Sequence, residues 1–134
     1  MHRRLAVVDI EKGNQPMTYA VDGAVFTLCY NGELYNTNEI RNTLESRGYN
    51  FFSHSDTEVV LKAYVEYREK CVDMFNGIFA FAVWEHETKR LFVARDRMGV
   101  KPLFYSMTKS GFVFASEIKA LLEHSEIEPV IDTR

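Results

Sequence analysis

The chain has 134 residues, which fits one domain, and its 46% hydrophobic content supplies a core and excludes extended disorder. The formal net charge is −3 without a basic stripe, which argues against a nucleic-acid partner. No apolar run approaches the roughly 20 residues that a membrane-spanning helix requires. The apolar stretch Leu5–Val8 is also too short for a signal peptide. We therefore expect a cytoplasmic protein that neither spans a membrane nor binds nucleic acid.

Two strands are predicted in the first part of the chain. β-Rich runs at Leu5–Ile10 and Val25–Tyr30 indicate strands, and Glu11–Pro16 between them has the composition of a turn. The second strand ends at Asn31-Gly32, a pair that usually forms a tight hairpin turn. Here a helix signal follows the pair.

Two helices are predicted next. Asn36 with Glu39 forms a capping-box pattern that starts a helix running to about Arg47. Ser55 with Glu58 repeats this pattern at the start of a second helix. Apolar residues recur in the second helix at helical spacing and define one buried face: Val59, Val60, Ala63, Tyr64 and Tyr67.

The second half of the chain predicts two hairpins and a short closing helix. Ile78–Trp84 is almost wholly apolar and indicates a strand buried on both faces, with Leu91–Ala94 as its hairpin partner. Leu103–Ser106 and Phe112–Ala115 form the last hairpin, and Ser116 caps the closing helix. Because strands and helices do not alternate, this order favours an α+β fold with antiparallel sheets and helices packed on them.

No metal site is predicted. Cys29 and Cys71 lie among apolar residues without a CxxC pattern or a Cys/His cluster, so both are expected to be buried, inert thiols. The four histidines are scattered and polar in context: His2, His54, His86 and His124. A charged loop follows the predicted Leu91–Ala94 strand and is expected to be an ion-pair network without a catalytic role, formed by Arg95, Asp96, Arg97 and Lys101.

Five segments carry a family resemblance that covers nearly the whole chain. They are His2–Asp9 (HRRLAVVD), Tyr30–Asn36 (YNGELYN), Ser55–Val59 (SDTEV), Gly77–Trp84 (GIFAFAVW) and Ala94–Tyr105 (ARDRMGVKPLFY). Together they resemble the glutaminase domain of glutamine-hydrolysing asparagine synthetases, which are class II glutamine amidotransferases. The resemblance implies an N-terminal nucleophile hydrolase fold, an αββα sandwich of antiparallel sheets, here incomplete at the N-terminus. It places this domain at residues 1–124, with 125–134 starting a linker to a synthetase domain.

The resemblance also implies that a catalytic nucleophile is missing. Family members begin with Cys-Gly, followed by an Arg-Gly-Pro-Asp stretch, before the segment that matches His2–Asp9. Their terminal cysteine attacks the glutamine amide with its own α-amine as the base, a role that neither Cys29 nor Cys71 can take. Met1 is then an internal methionine, a mis-chosen start or a deliberate truncation. We expect the chain alone to bind or frame glutamine without hydrolysing it.

The remaining residues that the resemblance assigns are those that recognise glutamine. Arg4 would pair with the ligand carboxylate and Asp56 with its α-ammonium group. The Asn31 side chain and the Gly32 backbone N–H would form the oxyanion hole, and Glu33 is a weaker candidate for a head-group contact.

Each of these residues has a simpler interpretation. Arg4 could be a solvated charge at a strand end, and Asp56 could stabilise the first turn of a helix. Asn31-Gly32 could be only a turn, which is what the local pattern alone favours.

Three functions remain open at this point. The first is the glutaminase domain of an asparagine synthetase, which supplies ammonia for ATP-dependent amidation of aspartate by a C-terminal synthetase domain. No cofactor is expected for the glutaminase domain, since ATP and magnesium belong to the synthetase domain. The second is the equivalent domain of a related amidotransferase or of a synthetase with another acceptor. The third is a non-catalytic structural or binding domain of the same fold, and a homodimer formed through unpaired strand edges is a further alternative.

Overall fold

The computed structural model describes residues 14–130. Its elements in chain order are strands β1 (Met17–Val21) and β2 (Ala24–Leu34), helices α1 (Thr37–Ser46) and α2 (Asp56–Tyr67), a 3₁₀ helix (Arg68–Asp73), strands β3 (Gly77–Glu85), β4 (Arg90–Arg95), β5 (Phe104–Thr108) and β6 (Gly111–Ala115), and helix α3 (Ile118–Leu122).

All strand pairs in the described part of the chain are antiparallel. One sheet has the order β1-β2-β3-β4, and a second sheet consists of the β5-β6 hairpin. Helices α1 and α2 pack together, α2 lies against β1 and β2, and α3 lies against β5 and β6. The expected α+β fold with antiparallel sheets is therefore confirmed.

Strand β1 was not predicted. It is joined to β2 by Asp22-Gly23, whose φ angles of 49° and 81° are those of a tight hairpin turn. An Asp-Gly pair is itself a hairpin signal, so the sequence contained the information for this element. The predicted Leu5–Ile10 strand lies outside the described residues.

Strand β2 runs straight through Asn31-Gly32 and ends at Leu34, so the interpretation of this pair as a turn is wrong. Glycine is needed here because the two backbones are close: a Cβ on Gly32 would lie 2.5 Å from the Ile78 carbonyl oxygen. A Cβ on Gly77 would collide in the same way with the Glu33 carbonyl oxygen. Gly32 and Gly77 thus permit β2 and β3 to approach each other closely. The local sequence of either strand alone does not predict this approach, because it depends on how the two strands pair.

The helix starts were predicted with unequal success. Asn36 does precede α1, but its side chain makes no cap. Its amide group instead binds the Met74 carbonyl at 2.9 Å and the Asn76 N–H at 3.0 Å. Ser55 caps α2 as predicted, accepting from the Glu58 N–H at 3.3 Å.

The core lies between the helices and one face of the four-stranded sheet. Helix α2 is buried on all sides from Thr57 to Tyr64, so its single predicted apolar face understates its burial. Alternate residues of β2 turn into this core: Phe26, Leu28, Tyr30 and Leu34. Strand β3 is buried on both faces over Phe79–Val83, which confirms the prediction for the centre of this strand. Ile78 and Trp84, at the ends of the predicted strand, are half-buried.

The last hairpin and the closing helix are also confirmed. The predicted cap is wrong, since α3 begins after Glu117 rather than Ser116 and has no side-chain cap. Glu126, in the stretch expected to begin a linker, accepts hydrogen bonds from the backbone N–H groups of Lys109 and Ser110. None of the helices described here has the length and apolar character needed to cross a membrane.

Candidate functional site

The far end of β2 has an edge that β1 does not cover. Strand β1 begins at Met17, which pairs with Leu28, so the part of β2 beyond Leu28 has β3 as its only strand partner within residues 14–130. This part contains Asn31, Gly32 and Glu33, three of the residues predicted to bind glutamine.

The direction of the Gly32 N–H follows from the bonds of its partner Phe79. Phe79 donates its N–H to the Asp96 carboxylate at 3.3 Å and accepts the Asp96 N–H at 2.7 Å. In an antiparallel ladder the N–H and C=O of one residue point to the same side, so the backbone N–H and C=O of Phe79 both point towards β4. Two residues directly opposite each other either exchange their backbone hydrogen bonds or both point them away from each other. Gly32, directly opposite Phe79, therefore points its own N–H away from β3, towards the uncovered edge.

Two side chains bind the N–H groups on either side of Gly32 along this edge. The Tyr30 N–H donates to Gln15 Oε1 at 2.6 Å, and the Leu34 N–H donates to Asp56 Oδ2 at 3.3 Å. The Gly32 N–H lies between them, about 6.6 Å from each by the strand rise, without a protein acceptor among the described residues. The edge therefore offers one open donor between two occupied ones.

Asp56 is fixed at this edge by its position on α2. Ser55 caps the helix, so Asp56 is its first residue, where a carboxylate also stabilises the positive end of the helix dipole. Its Oδ2 atom additionally accepts the Tyr30 hydroxyl at 2.8 Å. For Oδ1 no hydrogen bond is found within residues 14–130. The half-buried carboxylate therefore has one oxygen held by β2 and one available to a ligand.

The Gln15 side chain completes the link between the strand edge and the helix. While its Oε1 accepts from Tyr30, its Nε2 donates to the Thr57 hydroxyl at 3.4 Å. Gln15 and Asp56 thus tie both ends of the exposed edge to the first turn of α2.

The structure brings some of the predicted residues together and separates others. Asp56 and the Gly32 N–H share the edge, whereas the side chains of Asn31 and Glu33 point to the opposite face from the Tyr30 and Leu34 side chains, because residues alternate along a strand. Asn31 and Glu33 are exposed, and no hydrogen bond joins either to Asp56 in the described part of the chain. Arg4 lies outside the described residues.

Gln15 and Tyr30 were not predicted as site residues. Tyr30 was assigned to a strand and to the YNGELYN segment without a site role, and Gln15 was assigned to a turn. The signal for Tyr30 is its two-residue spacing from Gly32, which places both N–H groups on one edge. No local pattern marks Gln15, since its contact with Thr57 spans 42 positions.

A buried polar network supports the segment that leads into Asp56. The Glu58 carboxylate accepts from the N–H groups of Phe52 and Ser53, from the Ser53 hydroxyl and from Lys62. The Lys62 ammonium also donates to the Asn50 carbonyl, and the Lys62 side chain is buried, as is that of Glu58. Burial alone would raise the pKa of Glu58, but the bonds from Lys62, Ser53 and the two backbone amides outweigh it and lower that pKa.

The charged loop after β4 is held mainly by hydrogen bonds to the backbone. Asp96 accepts from the N–H groups of Phe79, Val100 and Lys101, and Arg95 donates to the Gly99 and Lys101 carbonyls. The expected ion-pair network is corrected in this respect, because the one ion pair found for these residues in the described part joins exposed Arg97 to Asp73 at 3.8 Å.

Neither thiol has the character of a nucleophile. Burial raises the pKa of Cys71 to about 12 and also raises the pKa of the partly exposed Cys29. Residues 14–130 contain no group of three His, Cys, Asp or Glu side chains placed to hold a metal ion.

The fold is shared with solved glutamine amidotransferases of the N-terminal nucleophile type. One is glutamine phosphoribosylpyrophosphate amidotransferase from Bacillus subtilis, with a TM-score of 0.69 and 27% identity over 80% of this chain and 25% of that protein. Another, described as the allosteric regulatory enzyme of purine biosynthesis, gives a TM-score of 0.71 and 27% identity over 81% of this chain and 25% of that one. The shared antiparallel α+β fold thus defines an amidotransferase-type domain.

The sequence pattern of the glutamine amidotransferase domain matches residues 1–134, and the chain belongs to that family. It is 56% identical over 131 residues to asparagine synthetase [glutamine-hydrolyzing] 3 of Bacillus subtilis, across 98% of this chain and 21% of that protein. Asparagine synthetase [glutamine-hydrolyzing] 2 of Oryza sativa is 40% identical over 126 residues, across 93% of this chain and 21% of its own length. The chain spans about a fifth of these relatives.

Proposed function

We propose that the domain binds glutamine at the uncovered edge of β2, with the ligand lying between Asp56 and the Gly32 N–H. The observation that carries this proposal is the alternation along the edge. Gln15 accepts from the Tyr30 N–H and Asp56 accepts from the Leu34 N–H, whereas the Gly32 N–H has no protein acceptor among the described residues. A backbone N–H at a strand edge that no protein group accepts is satisfied by water or by a ligand.

Each part of glutamine has a partner in this proposal. Asp56 Oδ1 accepts from the α-ammonium group, and the Gly32 N–H donates to the side-chain carbonyl oxygen, where negative charge develops during acyl transfer. The Asn31 amide, one residue away on the other face of the strand, is the proposed second donor to that oxygen. Arg4 is proposed to pair with the ligand carboxylate and Glu33 to contact the head group.

The chemistry proposed for this site is attack on the glutamine amide by a thiolate, which forms a thioester and releases ammonia after the leaving nitrogen is protonated. Cys29 and Cys71 are unsuited to that attack because the pKa of each thiol is raised. We therefore expect the 134-residue chain to bind glutamine without turnover. Ammonia release from glutamine by the purified chain would contradict this expectation.

The proposed context is an asparagine synthetase of the cytoplasm. In it, residues 1–124 form the amidotransferase domain and 125–134 lead to a synthetase domain that uses the ammonia to amidate aspartate at the expense of ATP. The likeness to asparagine synthetases over more than nine-tenths of the chain supports this assignment. ATP and magnesium would bind to the synthetase domain. Growth of an asparagine auxotroph that expresses the parent gene tests it, and a strain that stays dependent on asparagine would favour another acceptor.

A second candidate is a non-catalytic domain that binds another copy of itself. The β5-β6 hairpin favours it by one observation: the exposed apolar side chains Tyr105, Met107 and Phe112 lie on one face of a two-stranded sheet. Sedimentation of the pure chain over a range of concentrations tests the homodimer, and a monomer at the highest concentration would contradict it.

Calorimetric titration with glutamine tests the binding proposal. The wild-type chain is expected to bind, and Asp56→Asn is expected to bind at least about tenfold more weakly, because a charge-assisted bond to the ammonium group is lost. Asp73→Asn is the matched control, since Asp73 is an exposed carboxylate whose side chain is 3.8 Å from Arg97. Equal affinities for all three proteins, or no binding by the wild-type chain, would contradict the proposed site.

A further inference from the structure

We propose that Tyr30 is a positioning residue whose hydroxyl orients the Asp56 carboxylate. Through this orientation Tyr30 sets the selectivity of the site for an amino acid with a free α-ammonium group. The inference rests on the proposed binding of glutamine and extends it to a residue that touches no part of the ligand.

Tyr30 and Asp56 contact each other across two elements. Tyr30 is a core residue of β2, 4% exposed, and its hydroxyl donates to Asp56 Oδ2 at 2.8 Å. The same oxygen accepts the Leu34 N–H at 3.3 Å. Two donors from one strand thus converge on a single oxygen of a carboxylate that belongs to a helix.

This pair of bonds fixes the rotation of the carboxylate. A carboxylate that accepts one bond can turn about its terminal torsion, which is broad for aspartate, whereas two donors on Oδ2 hold both the oxygen and the plane of the group. Oδ1 is thereby held in one direction, and it accepts no hydrogen bond from residues 14–130. An ammonium group presented along the β2 edge then meets a fixed oxygen and not a rotating group.

The hydroxyl remains a donor across the whole working pH range. Burial raises the pKa of Tyr30, and the neighbouring Asp56 carboxylate raises it further by charge and by hydrogen bonding. A tyrosine that stays protonated cannot place a second negative charge beside Asp56.

The backbone bonds of Tyr30 reinforce the arrangement. Its N–H donates to Gln15 Oε1 at 2.6 Å, so the residue is held both at its main chain and at its hydroxyl. Removal of the hydroxyl oxygen alone should therefore leave the strand in place and free the carboxylate.

Tyr30→Phe in the full 134-residue chain tests the inference with two ligands, glutamine and glutaramate, which is glutamine without its α-ammonium group. The affinity for glutamine is expected to fall roughly five- to tenfold, because a fixed hydrogen-bonded carboxylate becomes mobile. The affinity for glutaramate is expected to be unchanged, since that ligand has no ammonium group to donate a hydrogen bond to Asp56. The ratio of the two affinities is thus the measured quantity.

Tyr64→Phe is the matched control. Tyr64 is likewise a buried core residue, and its hydroxyl donates to the Glu85 carboxylate at 2.6 Å, away from the β2 edge. Its loss should lower the melting temperature as Tyr30→Phe does and leave both affinities unchanged. The melting curves of the two variants show whether each is folded.

The outcomes separate this inference from the binding proposal. If the wild-type chain prefers glutamine to glutaramate and Tyr30→Phe keeps the same preference, the role of Tyr30 is overturned and the glutamine site stands. Equal loss of affinity for both ligands would show a merely structural role for Tyr30 and would also overturn the inference. A wild-type chain without preference for glutamine, or without binding, overturns the proposed site and the inference with it.

Discussion

Gly32 lies directly opposite Phe79 in the antiparallel pair of β2 and β3, and a Cβ built on Gly32 would be 2.8 Å from the Phe79 Cα. This closeness has two consequences. It explains why a strand continues through an Asn-Gly pair, and it explains how the Gly32 N–H stays at the β2 edge while its Cα lies against β3. Both the fold and the candidate site therefore depend on the absence of a side chain at position 32.

Gly32→Ala is expected to destabilise the domain by about 1–3 kcal/mol or more, because the added methyl group meets backbone atoms that cannot move aside. Urea unfolding followed by circular dichroism measures the change. Asn31→Ala, an exposed neighbour in the same strand, is the control and should change the free energy of unfolding by about 0.5 kcal/mol or less. Equal stability of Gly32→Ala and the wild type would contradict the close approach of β2 and β3.

The Glu58–Lys62 pair makes a prediction about coupled substitutions. Glu58→Gln and Lys62→Met are each expected to cost about 3–5 kcal/mol, since each leaves a buried partner charge uncompensated. The double variant should cost clearly less than the sum. Additive losses would mean that the two charges do not interact in the folded state.

An exposed pair supplies the comparison for this cycle. Arg47 and Glu66 lie 2.7 Å apart, but the Arg47 side chain is 53% exposed. Arg47→Met is therefore expected to cost no more than about 1 kcal/mol.

Asp96→Asn is expected to loosen the loop between β4 and β5. The carboxylate accepts three backbone N–H groups, from Phe79, Val100 and Lys101, and an amide in its place turns an NH₂ group towards some of these donors. The expected loss is about 2–3 kcal/mol, with faster hydrogen exchange at Val100 and Lys101. Asp73→Asn should leave both quantities unchanged, and unaltered exchange in Asp96→Asn would contradict the role given to this carboxylate.

The pH dependence of stability follows from the same carboxylates. Burial acts to raise the pKa values of Glu58 and Asp96, but hydrogen bonds to their charged forms lower both. The folded state then binds fewer protons than the unfolded chain, so their contribution is present above the ordinary carboxyl pKa of about 4 and is lost as the pH falls below it.

We therefore expect the urea midpoint to be level near neutral pH and to fall steeply below about pH 4. In Glu58→Gln the urea midpoint should fall less steeply with pH, because one of the carboxyl groups with a lowered pKa has been removed. A wild-type midpoint that does not change between neutral pH and about pH 3 would contradict these pKa directions.

Features set by neighbours in the sequence were predictable, and features set by distant neighbours were not. The Ser55 cap of α2 involves residues three positions apart, and the capping pattern identified it. The Asn36 pattern was equally good, but its side chain binds Met74 and Asn76, about 40 positions away, and these contacts replace the cap. A local pattern carries no information on such competitors.

The same distinction between local and distant contacts applies to the candidate site. Asp56 and Gly32 came from the family resemblance, whereas their common edge depends on the register of β2 with β3 and on the start of β1 at Met17, opposite Leu28. Gln15 became a site residue only because the chain folds it back between Tyr30 and Thr57. Such convergence belongs to the tertiary structure and has no periodicity in the sequence.

The amide signal of Gly32 tests the central claim most directly. In nitrogen–proton correlation spectra of the labelled chain, added glutamine should shift the Gly32 N–H signal in a saturable manner. The signals of Lys109 and Ser110, whose N–H groups bind Glu126, should stay in place. If saturating glutamine leaves the Gly32 signal unmoved, or shifts only residues remote from the β2 edge, glutamine does not bind between Asp56 and Gly32.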